Sequence, residues 1–205
     1  MTKILTTALV ASTILMAGGD IAQIDPQPTQ TPDNSSFYVG GAYTYLDSTY
    51  TDNEYGDSLD NNENGLTILG GYNFNQYVAV EGRYTWGFGD DFTYKADGHS
   101  DTIDGSDGTT TAWGVYVKPQ YPVTEDISVY ALIGVAGVSV DAFGDKVIDN
   151  ETDFSWGLGA KYAVTQNIEV FADYVSLHNG DITDVDGYTF DGDVYTANLG
   201  LNYKF

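Results

Sequence analysis

The chain has 205 residues, no cysteine, and a formal charge of −23 from 30 acidic against 7 basic side chains. Without cysteine there is no disulfide framework and no thiolate metal site, and a chain this acidic repels phosphate backbones, which argues against a nucleic-acid partner. The 42% hydrophobic content is too high for a disordered chain, and 24 Gly with 17 Tyr and only 2 Met favour β-structure in one domain of ordinary size.

Residues 1–19, MTKILTTALVASTILMAGG, read as a secretory signal peptide. Lys3 supplies the basic start, an apolar run follows, and Ala17 and Gly19 are small residues at the −3 and −1 sites of a cleavage before Asp20. The run is shorter than the roughly 20 residues of a membrane helix and has no stop-transfer flank. No cysteine follows it, so no lipoprotein anchor is expected. Residues 20–36 are polar and Pro-rich, a flexible leader before a domain over 37–205.

From Phe37 onward eight segments alternate in polarity: 37–47, 64–74, 77–88, 109–121, 127–140, 153–164, 168–178 and 193–205. Period two is a strand signal. In the third segment Val78, Val80, Gly82, Tyr84 and Trp86 share one face, and Ala79, Glu81, Arg83 and Thr85 share the other. The second segment sets Leu66, Ile68, Gly70, Tyr72 and Phe74 against Thr67, Leu69, Gly71 and Asn73. The last sets Tyr195, Ala197, Leu199, Leu201, Tyr203 and Phe205 against Thr196, Asn198, Gly200, Asn202 and Lys204. The fifth is ambiguous, because Tyr130, Leu132 and Val138 oppose Val129, Ile133 and Val135.

Connections after the second, fourth and sixth segments are short (Asn75-Gln76, Val123–Asp126, Thr165–Asn167). Those after the first, third, fifth and seventh are long (48–63, 89–108, 141–152, 179–192). Short turns on one side and long loops on the other, with strands long enough to cross a bilayer at a tilt, are the pattern of an outer-membrane barrel. The expected fold is all-β: an eight-stranded antiparallel up-and-down transmembrane β-barrel with both ends periplasmic.

A water-soluble barrel would place its apolar faces inside. Charge placement argues for the reverse. Arg83, Lys118, Lys161 and Lys204 fall on small or polar faces, as do Glu81, Asp173 and Glu169. Inside a narrow barrel, Glu81, Arg83, Lys118, Lys161, Asp173 and Lys204 are the candidates for a lumenal ion-pair network, since unpaired they would be costly. The opposite faces suit lipid. Phe37, Tyr45, Phe74, Tyr77, Trp86, Phe88, Tyr121, Phe154, Tyr162 and Tyr203 are placed to form two interfacial girdles.

The ending Leu199-Gly200-Leu201-Asn202-Tyr203-Lys204-Phe205 resembles the C-terminal signature of bacterial outer-membrane proteins. Phe37-Tyr38-Val39-Gly40-Gly41-Ala42-Tyr43 and Val80-Glu81-Gly82-Arg83-Tyr84 resemble the opening and third strands of the OmpA/OmpX-type barrels. The resemblance covers 37–205. It implies recognition of Tyr203 and Phe205 by the barrel-assembly machinery, and residence among outer-membrane lipid and lipopolysaccharide. Ending at the eighth strand, the sequence is expected to lack the peptidoglycan-binding domain of the two-domain members.

The four long connections hold 19 of the 30 acids, Glu63 and Asp141 among them, and Asp153 and Asp193 at their edges make 21. They are read first as a solvated, repulsive rim. Weak Ca2+ binding has candidates in Asp104, Asp107, Asp184 and Asp186, which sit beside Gly turns but miss the EF-hand spacing; no other cofactor is expected.

Small barrel enzymes need a histidine, and only His99 and His178 exist. Ser176 and His178, two apart on one strand face, faintly resemble in reversed order the His-x-Ser pair of lipid A deacylase barrels, with Asp181 the nearest acid. Without a positioned orienter no catalytic residue is assigned. The expectation is a monomeric, non-enzymatic barrel with a structural or surface-interaction role, such as adhesion or envelope integrity. A narrow or gated porin-like channel is the alternative, and a lipid A-modifying barrel enzyme the second.

Overall fold

The structure, a computed structural model, describes residues 35–51, 58–96, 99–104, 109–142, 145–183 and 189–205. The signal-peptide and leader assignments up to residue 34 lie outside these residues, as do Asp107, Asp184 and Asp186. The strands are β1 (Ser36–Thr51), β2 (Ser58–Asn73), β3 (Val78–Ala96), β4 (His99–Asp104), β5 (Thr109–Pro122), β6 (Ile127–Ala142), β7 (Asp145–Ala163), β8 (Ile168–Thr183) and β9 (Thr189–Lys204). Each barrel strand pairs antiparallel with its neighbours, in the order β2-β1-β9-β8-β7-β6-β5-β3. A β2–β3 pairing closes the ring. Closure satisfies the strand edges of the stretch in which all eight barrel strands pair, the condition for crossing a bilayer with strands.

β4 is not a stave of the barrel. It pairs only with the outer end of β3, from Asp91↔Asp104 to Ala96↔His99. The long connections are therefore not loops through most of their length, as the hydropathy pattern implied. β1 and β2 pair out to Thr51↔Ser58, β6 and β7 to Ala142↔Asp145, and β8 and β9 to Thr183↔Thr189. Backbone pairing does not depend on side-chain polarity, so the ladders continue after the apolar alternation stops.

At the other end the turns share one chemistry. Val123 N–H donates to the Ile127 carbonyl (2.8 Å) and Val164 N–H to that of Ile168 (2.9 Å). Thr124 Oγ1 accepts from the Ile127 N–H (2.9 Å) and Thr165 Oγ1 from the Ile168 N–H (3.0 Å). In the turn over 74–77, Asn75 Oδ1 takes this part, accepting from Tyr77 and Val78. These side chains stand in for backbone acceptors, which lets the reversals be tight. Phe205 N–H donates to the Phe37 carbonyl (3.0 Å), so the first and last strands end together on the short-turn side.

The surface is inverted relative to a water-soluble barrel. Val80, Val115, Val117, Ile133, Leu158, Leu199 and Leu201 are exposed on the outside, while Glu81, Lys118, Asp173 and Asn198 are buried inside. A continuous exposed apolar belt of this kind marks a lipid contact. All ten of the expected girdle aromatics are exposed. Phe37, Tyr72, Phe74, Tyr203 and Phe205 group at the short-turn end, with Phe37–Tyr72 ring centroids at 4.6 Å and Tyr203–Phe205 at 5.2 Å. Tyr84 and Trp86 (4.4 Å) and Tyr174 and Tyr195 (5.6 Å) group at the other. The stretch from Tyr195 to Tyr203, at about 3.3 Å per residue and a tilt of about 40°, spans roughly 20 Å of membrane.

Candidate functional site

The lumen is filled in layers. In the middle layer Glu81 and Arg83, two apart on β3, meet Lys118 from β5 and Asp173 from β8. Arg83 forks onto Asp173 through two nitrogens at 3.0 and 2.6 Å, and its Nε donates to Glu81 Oε1 at 2.7 Å. Lys118 Nζ and the Tyr38 hydroxyl donate to Glu81 Oε2 at 2.7 and 2.6 Å. Tyr130 and Asn198 complete the shell of Asp173, each at 2.8 Å. Two carboxylates meet two cations, so the layer is neutral, and each carboxylate oxygen has a donor. Lys118 Nζ also lies 4.0 Å from the centroid of the Tyr130 ring, a desolvated cation–π contact.

The large rings fit because glycines face them. A Cβ at Gly159 would lie 2.6 Å from both the Tyr130 ring and Asp173 Cβ, and one at Gly71 would strike the Tyr38 ring. Alternation of small and large residues is how a narrow barrel fills its interior.

Lys161 and Lys204 are not part of this cluster. Both converge on Glu169 at 3.3 Å, in a separate group beside the short-turn mouth. That mouth is an open polar recess of about 380 Å³, lined also by Asn73, Gln120 and Ser36.

On the long-hairpin side the lumen turns apolar along β6 to β9, while Ser48, Asn61, Glu63 and Thr110 keep the flank of β1, β2 and the start of β5 polar. Ala112, Val138, Val140, Ile148, Val175, Leu177, Ile182 and Val194 form one buried cluster, with Tyr50 against it. This resolves the ambiguous fifth segment. Tyr130, Leu132 and Val138 point in, and Val129, Ile133 and Val135 point out. Both faces of β6 are apolar because its inner face lines this cluster. Between the charged and apolar layers, a cavity bounded by Thr67, Arg83, Thr85, Tyr116, Leu177 and Asn198 holds about 10 Å³, room for about one water.

Three sequence expectations are corrected. Ser176 and His178 do not share a face. The β8–β9 register slips between them: Ser176, itself buried, pairs with Tyr195 and with the outward-facing Trp156, and His178 with the buried Val194. A bulge of one residue reverses the side-chain parity. Asp181 is not the acid beside His178; Asp153 is, with Oδ2 3.7 Å from Nδ1. Glu63 is not a loop acid. It is 1% exposed on the inner face of β2. Its parity with Thr67 and Leu69 was the one sequence signal for this placement. His99 and Asp104 are placed by their β4 backbone alone. Among the described residues no three or more His, Asp or Glu side chains gather as a metal site.

A model of the outer membrane protein beta-barrel domain matches residues 12–205. The chain belongs to this family. Its members cross the outer membrane with periplasmic turns and extracellular hairpins, which places the short turns and the Phe205 end in the periplasm and the long hairpins outside. Outer membrane protein A of Yersinia pseudotuberculosis is 29% identical over 217 residues, 97% of this chain and 55% of its own. That of Salmonella typhi is 27% identical, with the same coverage. The chain thus spans about half the length of the curated relatives it matches. The virulence membrane protein PagC of Salmonella typhimurium is 29% identical over 99 residues, 43% of this chain and 48% of PagC. Among solved structures, OprG of Pseudomonas aeruginosa superposes with a TM-score of 0.60 at 14% identity, covering 83% of this chain and 96% of OprG. Neisserial surface protein A superposes at 0.57 and 19% identity, over 83% and 99%. Both likenesses concern the fold.

Proposed function

We propose that this barrel works from its outer end, as a monomeric, non-conducting and non-catalytic scaffold that presents acidic hairpins to the outside. The filled lumen carries this reading. A neutral ion-pair layer and a buried outer layer, apolar on its β6–β9 side, lie in series across it, separated by a space of about 10 Å³. A solute path needs a continuous wet lumen, so the layers weigh against a porin-like channel, and the separated Ser176 and His178 weigh against a lipid A-modifying enzyme. Within the membrane-spanning stretch closure leaves no strand edge for self-association, in keeping with a monomer. The kinship with PagC, a virulence membrane protein, and the fold shared with a neisserial surface protein support a role in adhesion or envelope integrity.

The charge of the outer end sets the kind of partner. Arg83, Lys118, Lys161 and Lys204 are turned into the barrel, and the hairpin sequences are rich in Asp. The folded protein in neutral micelles is expected to bind immobilised polylysine at low salt and to lose it as salt shortens the screening length. Immobilised heparin is expected not to retain it. A variant with Asn or Gln in place of Asp52, Glu54, Asp57, Asp107, Asp184 and Asp186 should keep the fold and release polylysine at lower salt. Retention on heparin, or current steps across a planar bilayer, would contradict the reading.

Lipopolysaccharide around the belt and the barrel-assembly machinery during biogenesis complete the proposed partners. Tyr203 and Phe205 are exposed, 48% and 72%, at the periplasmic end of β9. They are the proposed assembly signal. Deleting Phe205 is expected to lower the folded protein in outer-membrane fractions severalfold; normal levels would remove the signal from Phe205.

A further inference from the structure

We propose that Asn179 is a deamidation site, at which the side-chain amide on the outer end of β8 is converted to a carboxylate through a cyclic imide. The chain has two Asn-Gly pairs, Asn64-Gly65 and Asn179-Gly180. Such pairs are prone to this reaction, because glycine has no side chain to crowd the approach of its nitrogen to the preceding amide. No enzyme is needed. The Gly180 nitrogen gives its proton to solvent hydroxide and attacks Asn179 Cγ. The N–Cγ bond forms, the Cγ–Nδ2 bond breaks, and Nδ2 takes up a proton and leaves as ammonia. Water then opens the imide, which leaves aspartate or, when it attacks the main-chain carbonyl, isoaspartate. No oxidant or reductant takes part.

The structure separates the two pairs. To close the imide, the peptide between Asn and Gly must rotate, which breaks any ladder those residues belong to. Asn64 and Gly65 are held on both sides, by Tyr45 and Thr44 of β1 and by Phe88 and Gly87 of β3. Gly65 is also enclosed, since a Cβ there would lie 2.6 Å from the Trp86 carbonyl oxygen and 2.8 Å from Leu46 Cδ1. Among the described residues, Asn179 and Gly180 are held on one side alone. The β7–β8 ladder ends at Trp156↔Ser176, whereas β8 continues against β9 through Asn179↔Asp193 and Gly180↔Gly192. Gly180 has a φ of 147°, a conformation open to glycine, and nothing lies within 4 Å of where its Cβ would be. Asn179 is exposed. An exposed segment with an unpaired edge and few contacts opens at low cost.

The amide that reacts is also one that ties the hairpin together. Asn179 Nδ2 donates to Asp193 Oδ1 and to the Tyr195 hydroxyl (3.2 Å). Deamidation replaces this donor by a second carboxylate directly opposite the first. Like charges at facing positions destabilise a strand pair. The outer end of β8–β9 is therefore expected to loosen while the barrel below it stays closed.

The test is peptide mass mapping of the folded protein, aged in micelles in mildly alkaline buffer, beside a denatured sample aged in the same way. In the folded protein Asn179 is expected to gain the mass of an amide-to-acid change at least about tenfold faster than Asn64, the ratio set by about 1.4 kcal/mol of extra opening cost. In the denatured sample the two should convert at similar rates. Asn179 staying an amide in the folded protein while it converts in the denatured one would overturn the site. So would Asn64 keeping pace with Asn179 in the folded protein. Asn179→Asp carries the charge of the product from the start. It is expected to keep the gel mobility of the unboiled wild type and to be cut severalfold faster than wild type within the β8–β9 hairpin by an Asp-directed protease. A wild-type rate of cleavage there would overturn the loosening.

Discussion

Replacing Arg83 with alanine is expected to cost the folded barrel about 3–5 kcal/mol, the usual penalty for removing one member of a buried ion pair. Arg83 is the hinge of the middle layer, because it holds Asp173 with two nitrogens and Glu81 with a third. Without it, Lys118 alone faces two buried carboxylates. The loss should appear as a lower urea midpoint and a lower temperature for losing the folded band on a gel. Arg83→Lys keeps the charge but not the planar fork, so an intermediate loss is expected. Removing Lys204 is expected to matter less, since it is more exposed and Lys161 stays with Glu169. Wild-type urea resistance in Arg83→Ala would contradict the energetic role given to the layer.

The second large effect is on the lipid side. Leu199 lies midway between Tyr195 and Tyr203 and is 61% exposed. Leu199→Arg puts a guanidinium at the bilayer midplane, at an expected cost of about 2–4 kcal/mol. The same change at Tyr203, at the girdle, should cost about 0–1 kcal/mol, because the side chain can reach the interface. Measured by reversible unfolding in lipid, equal costs at the two positions would place the membrane elsewhere on the barrel.

How much of this was legible in the sequence depended on whether lipid and lumen demanded different side chains. In β3 they did: Val80, Tyr84 and Trp86 on one parity and Glu81 and Arg83 on the other assigned both faces without a structure. In β6 they did not, because Leu132 and Val138 face an apolar layer of the lumen while Ile133 and Val135 face lipid. Strand ends were also invisible, since pairing between β1 and β2 continues through Asp47↔Asn62 and Thr49↔Asp60 with no apolar signal. The bulge after Ser176 carries no compositional mark, so parity counted across it put Ser176 and His178 together.

The charged residues show the same limit in another form. Parity placed Glu81, Arg83, Lys118, Lys161, Asp173 and Lys204 on inner faces, but height along the barrel separates Lys161 and Lys204 from the rest. That height follows from the stagger between strands, set by hydrogen-bond register and not by hydropathy. Glu63 had the right parity and was hidden by its polar neighbours Asn61, Asn62 and Asn64, which look like a loop and pair as a strand.

The most direct measurement is the mobility of the protein from outer-membrane fractions on SDS gels, with and without boiling. A closed, detergent-resistant barrel is expected to migrate differently in the two samples, the unboiled form being compact. A single mobility, with the protein recovered from the soluble fraction, would contradict a membrane-spanning barrel with its charges inside.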